Sequence, residues 1–301
     1  MSAPRKRLSA FAPPGGARKL GTALRFLANA DECCLEEPFC SLWAKQDPFA
    51  AVEALQGKVY RELEARRTLR TELGGRGYFV KIHRGVGWGE IVKNLLTLRA
   101  PVLGAGNEYR AIRRLEQLGV DTMRAVAYGA QGGNPAAQHS FIVTEELAPT
   151  VSLEDFCRDW LARPPAPRFK RALIGRVATM ARRMHEGGVN HRDFYICHFL
   201  LHLDPAPTVA AFKLSLIDLH RAQLRAKTPR RWRDKDLASL YFSALEIGLT
   251  QRDFLRFLRL YFDRPLRDVL RDEAGLIEHL NREAARLQKR YLKKFAPKGE
   301  A

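Results

Sequence analysis

The feature that most constrains this chain is a change of hydrophobic period near its middle. Before residue 147 the apolar residues fall in short alternating runs separated by glycine-rich turns; after it they recur at helical spacing. Val59–Ala65, Thr68–Leu73, Tyr78–His83, Val126–Tyr128 and Phe141–Thr144 read as strands. Gly74-Gly75-Arg76-Gly77 and Gly132-Gly133-Asn134-Pro135 read as turns, and Arg84–Gly89 as a loop rich in glycine and aromatic residues. One helix, Asn107–Leu118, carries an apolar stripe of Ile112, Leu115 and Leu118 and is stopped by Gly119. Glu108 lies four residues before Ile112, so this acid faces inward.

Past Glu145-Glu146-Leu147 the pattern predicts a helix capped by Ser152 and running through Trp160. A second covers Arg168–Met184, and Gly187-Gly188 end it. Phe199–Leu203 and Lys213–Leu219 alternate as a hairpin, and Asp234 to about Leu292 is helical. The expected fold is α+β and bilobal, a small, mostly antiparallel five-stranded lobe with one helix followed by a larger, mainly α lobe. The corresponding segments are residues 35–147, with a hinge at their end, and 148–292. They are flanked by a basic extension over 1–34 and a basic tail over 293–301. Leu20, Ala23, Leu24 and Leu27 could place a short amphipathic helix on a membrane surface, but a frayed extension or a start assigned too far upstream is the plainer reading.

Composition narrows the function. A formal charge of +18 attracts polyanions: nucleic acid, an anionic membrane surface or a densely anionic substrate. The basic residues are spread along the chain and no RRM, KH, zinc or helix-turn-helix signature stands among them, so nucleic acid is not expected. The five cysteines have neither CxxC nor metal-type spacing, which argues for reduced thiols in a cytoplasmic protein. No apolar run approaches the roughly 20 residues of a membrane-spanning helix.

Phosphoryl transfer needs a cation on the nucleotide phosphates, metal ligands and a carboxylate that orients the attacking hydroxyl. Candidates occur in that chain order. Lys81, inside Tyr78-Phe79-Val80-Lys81-Ile82, is a costly cation in an apolar strand unless it meets ATP phosphates and Glu108; the alternative is a lysine snorkelling from an edge strand. No GxGxxG precedes it, and Arg66 or Arg67 would have to supply charge instead. Adenine is expected on backbone groups of the linker containing Glu145 and Leu147.

His191-Arg192-Asp193 follows a long helix and a glycine stop, as a kinase catalytic loop does, making Asp193 the catalytic carboxylate. Asp218 ends an apolar strand where a kinase holds Mg²⁺. His198 occupies the position, five residues after Asp193, of the usual second metal ligand; it reads equally as a weak ligand, as a group orienting Asp193 and as a core histidine. Asp236 either braces the catalytic loop or is an ordinary acid at a helix start. A His/Asp metallohydrolase cluster leaves Lys81 and Glu108 unexplained.

From about Leu35 to about Leu292 the chain resembles the lipopolysaccharide core heptose(I) kinases, the WaaP/RfaP family. The resemblance rests on Leu35–Phe39, Tyr78–Ile91, Pro101–Ala105, Ser140–Leu147, Asn190–Leu201, Ile217–Gln223 and Arg231–Leu237. The family usually has Cys where Phe194 stands. The resemblance implies an ATP- and Mg²⁺-dependent kinase at the cytoplasmic face of the inner membrane, with Asp193 as its catalytic residue. It would phosphorylate O4 of the first heptose of the lipopolysaccharide inner core, on heptosylated Kdo-lipid A. It also implies acyl carrier protein as a structural partner, although no feature of the sequence is assignable to that contact. A protein tyrosine kinase of the same fold, or a non-catalytic basic polyanion-binding protein, are the alternatives.

Overall fold

The computed structural model describes residues 32–96 and 104–295. Most of the basic extension, Pro101-Val102-Leu103 and the end of the basic tail lie outside them. The chain divides into two compact units. One runs to Arg113 and resumes from Met123 to Glu146; the other comprises Arg114–Thr122 and everything from Leu147 onward.

The first unit holds β1 (Glu32–Leu35), α1 (Phe39–Leu42), α2 (Pro48–Glu53), β2 (Lys58–Leu63), β3 (Arg66–Leu73), β4 (Arg76–Arg84) and α3 (Gly87–Leu96). Most of α4 (Gly106–Gln117), then β5 (Ala125–Gln131) and β6 (His139–Glu145), complete it. Its strands form one sheet of order β1-β5-β6-β4-β3-β2, every pair antiparallel. Six strands stand where the sequence predicts five. The extra one, Glu-Cys-Cys-Leu, is too short to show alternation and is specified by pairing with Ala127–Ala130 of β5.

Alternation along β4 puts Tyr78, Val80 and Ile82 into a buried cluster with Phe39, Trp43, Phe49, Val52 and Phe141. Phe39 meets Tyr78 edge-on at 5.1 Å and Phe49 meets Phe141 at 5.2 Å, so α1 and α2 cover this face. The same alternation turns Lys81 to the opposite face. Arg84–Gly89 is only in part the loop the sequence predicts. Gly85 and Gly87, at φ of 92° and 72°, make the turn, and α3 begins within it, burying Ile91.

The second unit contains β7 (Thr150–Ser152), α5 (Leu153–Phe156), α6 (Pro167–Glu186), β8 (Val189–Asn190), β9 (Phe199–His202), β10 (Leu214–Leu216) and β11 (Gln223–Leu224). Helices α7 (Arg230–Ser243), α8 (Gln251–Phe262), α9 (Leu266–Asp272) and α10 (Ala274–Phe295) follow. Ser152 does cap α5, its hydroxyl accepting from the Asp155 amide at 3.0 Å, but the helix stops at Phe156 rather than Trp160. The predicted hairpin is β9–β10, joined by β7 on its other edge. Gly188, at φ 83°, has its Cα position closed by the Arg225 carbonyl 1.9 Å from any added Cβ, so β8 and β11 approach as only glycine allows. The helical remainder splits into four because Thr250 and Asp253 form a capping box and Pro265 restarts the chain at α9. Helices α6, α7, α8 and α10 wall an apolar cavity of about 480 Å³, lined by residues including Leu173, Val177, Leu240, Phe254 and Leu280.

Candidate active site

In the first unit Lys81 Nζ lies 2.7 Å from Glu108 Oε1, with the glutamate side chain 1% exposed and the lysine 16%. The pair joins β4 to α4, and one glutamate oxygen, Oε2, is buried without a hydrogen-bond partner. A cation presented by a carboxylate at low dielectric, with donor capacity left on its ammonium, suits a polyphosphate. Arg67 does not stand ready for the same task. Its guanidinium is held by the Glu53 carbonyl at 3.0 Å and by Glu62 at 3.1 Å. Glu145 has its side chain on Arg124 at 3.2 Å and its amide on the Arg124 carbonyl, so it could offer a base only its own carbonyl.

In the second unit the Leu147 carbonyl accepts from the Thr150 hydroxyl at 2.7 Å, which leaves its amide as the group a ligand could use. The His191-Arg192-Asp193 loop leaves β8 and is fixed from beneath. Asp236, 1% exposed, accepts from the amides of His191 at 2.6 Å and Arg192 at 2.9 Å and faces His185 Nε2 at 3.3 Å. Of the two readings of Asp236, the structure selects the brace: it sits in the second turn of α7 and bonds another segment's backbone. That brace holds Arg192 at φ 75°, a left-handed backbone that strains a residue bearing a Cβ.

His191 Nε2 lies 2.9 Å from the Ile217 carbonyl, and a carbonyl only accepts, so this nitrogen carries the proton. Burial holds His191 below the usual imidazole range against the pull of Asp236. The loop histidine therefore anchors the residue before Asp218. Asp218 itself is left-handed, at φ 64° and ψ 50°, and accepts from His220 Nδ1 at 2.6 Å.

The two acids are linked through His198. Its Nδ1 donates to the Asp193 carbonyl at 2.7 Å, so in the neutral ring Nε2 is a lone pair, and it faces Asp218 Oδ2 at 3.5 Å. A lone pair and a carboxylate oxygen turned toward one another suit a shared cation. No group of three or more His, Cys, Asp or Glu side chains gathers in metal-binding geometry among the described residues. A lone carboxylate such as Asp218 would fit Mg²⁺ brought by a nucleotide, which completes its shell with phosphate and water, whereas the imidazole of His198 is a softer donor than Mg²⁺ prefers.

The Asp193 carboxylate receives Arg221 Nη1 on both oxygens, at 2.7 and 3.0 Å. Arg221 was not legible as a site residue. It sits 28 positions from its partner, and only the 3₁₀ turn after Asp218 brings it back. The sequence hint was the charged pair His220-Arg221 directly after a strand-ending acid.

An antiparallel sheet bearing an ion-paired lysine, followed by a helical unit with a braced His-Arg-Asp loop and a second acid at a strand end, defines a protein-kinase-like phosphotransferase. The family model described as "Lipopolysaccharide kinase (Kdo/WaaP) family" matches residues 50–261. Among characterised relatives, the lipopolysaccharide core heptose(I) kinase WaaP of Pseudomonas aeruginosa is 69% identical over 256 residues, 85% of this chain and 96% of the relative. The protein of the same name from Escherichia coli K12 is 56% identical over 260 residues, 86% of this chain and 98% of the relative. A solved structure of WaaP in complex with acyl carrier protein superposes with a TM-score of 0.77 at 64% identity, covering 85% of this chain and 99% of that one. The chain belongs to the lipopolysaccharide kinase (Kdo/WaaP) family, and it is a kinase that transfers phosphate to a sugar hydroxyl.

Proposed function

We propose that this kinase uses ATP and Mg²⁺ to phosphorylate O4 of the first heptose on heptosylated Kdo-lipid A. The observation that carries the assignment of roles is the linkage of Asp193 to Asp218 through His198, on a loop braced by Asp236. Lys81, positioned by Glu108, binds the α- and β-phosphates of ATP. The backbones of Glu145 and Leu147 bind adenine. Asp218, with His198 beside it, holds Mg²⁺, which when bound neutralises charge on the phosphates. Asp193 accepts a hydrogen bond from the heptose hydroxyl and takes its proton as the new O–P bond forms and the bond to ADP breaks. Arg221 keeps that carboxylate in place.

Two partners belong to the same reading. Acyl carrier protein is supported by the solved relative in complex with it and by the apolar cavity of about 480 Å³, which has room for an acyl group. Peripheral association with the cytoplasmic face of the inner membrane is supported by the +18 charge and by Trp88, Val92 and Leu96, exposed four residues apart on α3. No helix among the described residues is long and apolar enough to cross a membrane.

The test is transfer of labelled γ-phosphate to heptosylated Kdo-lipid A, run beside a tyrosine peptide, with the phosphate located by NMR. Label at O4 of the first heptose is expected. Label on the peptide alone, or on another sugar, overturns the assignment.

A further inference from the structure

The start of α7 reads Arg230-Arg231-Trp232-Arg233, with no acid in the first turn and no side-chain cap on Pro229. Cations at the positive end of a helix dipole are unfavourable there. The basic residues of this region divide into two sets. Arg230 and Arg233 are neutralised: both reach Glu273, at 3.3 and 3.4 Å, and Arg233 also holds Asp234 at 2.7 Å. Arg225, Arg231 and Lys235 form no ion pair among the described residues. They gather instead round one indole, with Arg231 4.9 Å, Lys235 5.5 Å and Arg225 5.9 Å from the Trp232 ring centroid.

Two further facts separate this group from a solvated charge run. Arg225 is oriented by neutral oxygens, Asn190 Oδ1 at 2.6 Å and Gln223 Oε1 at 2.8 Å, which aim the guanidinium without cancelling its charge. Lys235, exposed at the surface, is nonetheless held below the ordinary lysine range by partial desolvation and then by Arg192 and Arg221, while Asp236 and Asp193 pull the other way. Lys235 thus lies within the field of Asp193 and of the arginine that holds it. Burial and Arg231 likewise depress Arg225. A fold that crowds like charges beside an acid proposed to meet the acceptor leaves an electrostatic cost that a bound anion removes.

We propose that Arg225, Arg231 and Lys235, arranged round Trp232, form a subsite for an anionic oxygen group of the acceptor, a sugar-acid carboxylate or a lipid A phosphate, and thereby set the acceptor hydroxyl against Asp193. This rests on the acceptor reading given above and names the part of the chain that recognises it. The subsite distinguishes the acceptor from neutral sugars and takes no part in binding ATP.

The experiment is steady-state kinetics on three acceptors: heptosylated Kdo-lipid A, the same glycolipid with its carboxylates methyl-esterified, and the same glycolipid without lipid A phosphates. Lys235→Gln and Arg225→Gln are each expected to raise the acceptor KM about tenfold or more, the loss of one charge-assisted contact, while the KM for ATP moves less than about twofold. The variants' defect should vanish on whichever modified acceptor lacks the recognised group, which tells carboxylate from phosphate. Arg231→Gln, at a position exposed like Lys235, is the second variant if either of the others lowers the melting temperature. An unchanged acceptor KM, an equal rise on all three acceptors, or a parallel rise in KM for ATP overturns the subsite. Turnover by the unsubstituted protein with unshifted variants removes only this inference; no turnover by the unsubstituted protein on any acceptor removes the proposed function and the subsite together.

Discussion

Asp193 is held from three directions: Arg221 on both carboxylate oxygens, His198 on its carbonyl, and the Asp236 brace two residues before it. Asp193→Asn keeps shape and removes the carboxylate proposed to accept the proton. It is expected to lower phosphate transfer by about 10²–10⁴-fold with the melting temperature nearly unmoved; transfer near the unsubstituted rate would take Asp193 out of the reaction. His191 makes a second prediction, through its burial. Its folded pKa lies below the ordinary 6.5, so below that pH the unfolded chain binds a proton that the folded chain refuses. Stability should therefore fall as pH drops below about 6.5 and level off once the folded ring also protonates. His191→Gln keeps a donor for Ile217 and should flatten the decline in melting temperature between about pH 7 and 5. His202, also lowered by burial, preserves part of the slope. Asp193 and Asp218 were legible in sequence as candidates because each sits in a local pattern, a His-Arg-Asp loop and a strand-ending acid. Arg221, Arg225 and Lys235 were not, because their meaning lies in their neighbours, an acid for Arg221 and the Trp232 ring, without an ion pair among the described residues, for the other two, and that is decided by tertiary contacts.

At the scale of elements, the Lys81–Glu108 pair carries the argument. A 2.7 Å contact between a strand cation and a helix acid that is 1% exposed binds β4 to α4 while keeping the ammonium available. Glu108→Ala would leave a mostly buried lysine without its counter-charge, at a cost of about 3 kcal/mol. Denaturant unfolding should register that loss, and the double variant Lys81→Met/Glu108→Leu should recover much of it by replacing the pair with apolar contact. Equal instability of the double variant would mean that packing of α4, rather than charge, sets the cost. Strands β3, β4 and β6 and helices α4 and α6 were readable because their periods run long enough to exceed chance. The four-residue β1 and α1 were not, and α3 was masked by its own turn glycines, Gly85 and Gly87, which announce a loop although a helix starts at the second of them. The expected helix through Trp160 failed for a related reason, since a good cap at Ser152 marks where a helix begins and says nothing about its length.

At the scale of the whole molecule the fact to explain is 51 basic side chains against 33 acidic ones. A kinase needs only a few cations at its nucleotide, so most of this excess acts at longer range. Fixed positive charge approaching an anionic leaflet gains about 1 kcal/mol for each Lys or Arg near the surface, and the gain decays within a Debye length of about 10 Å at 0.1 M salt and about 3 Å at 1 M. The proposed contact of Lys81 with ATP would be short, and Lys81 is mostly buried, so screening should weaken it less. Raising salt should therefore separate two quantities that a purely local account would move together. The acceptor kcat/KM on anionic vesicles is expected to fall steeply between about 0.05 and 0.5 M salt, with a much smaller change in the KM for ATP. The same acceptor in zwitterionic vesicles should start lower and respond less, because there the lipid A phosphates and sugar carboxylates are the only negative charge. If both vesicle types gave the same salt slope, attraction would come from the acceptor headgroup alone, and the cluster round Trp232 would account for it without any wider field.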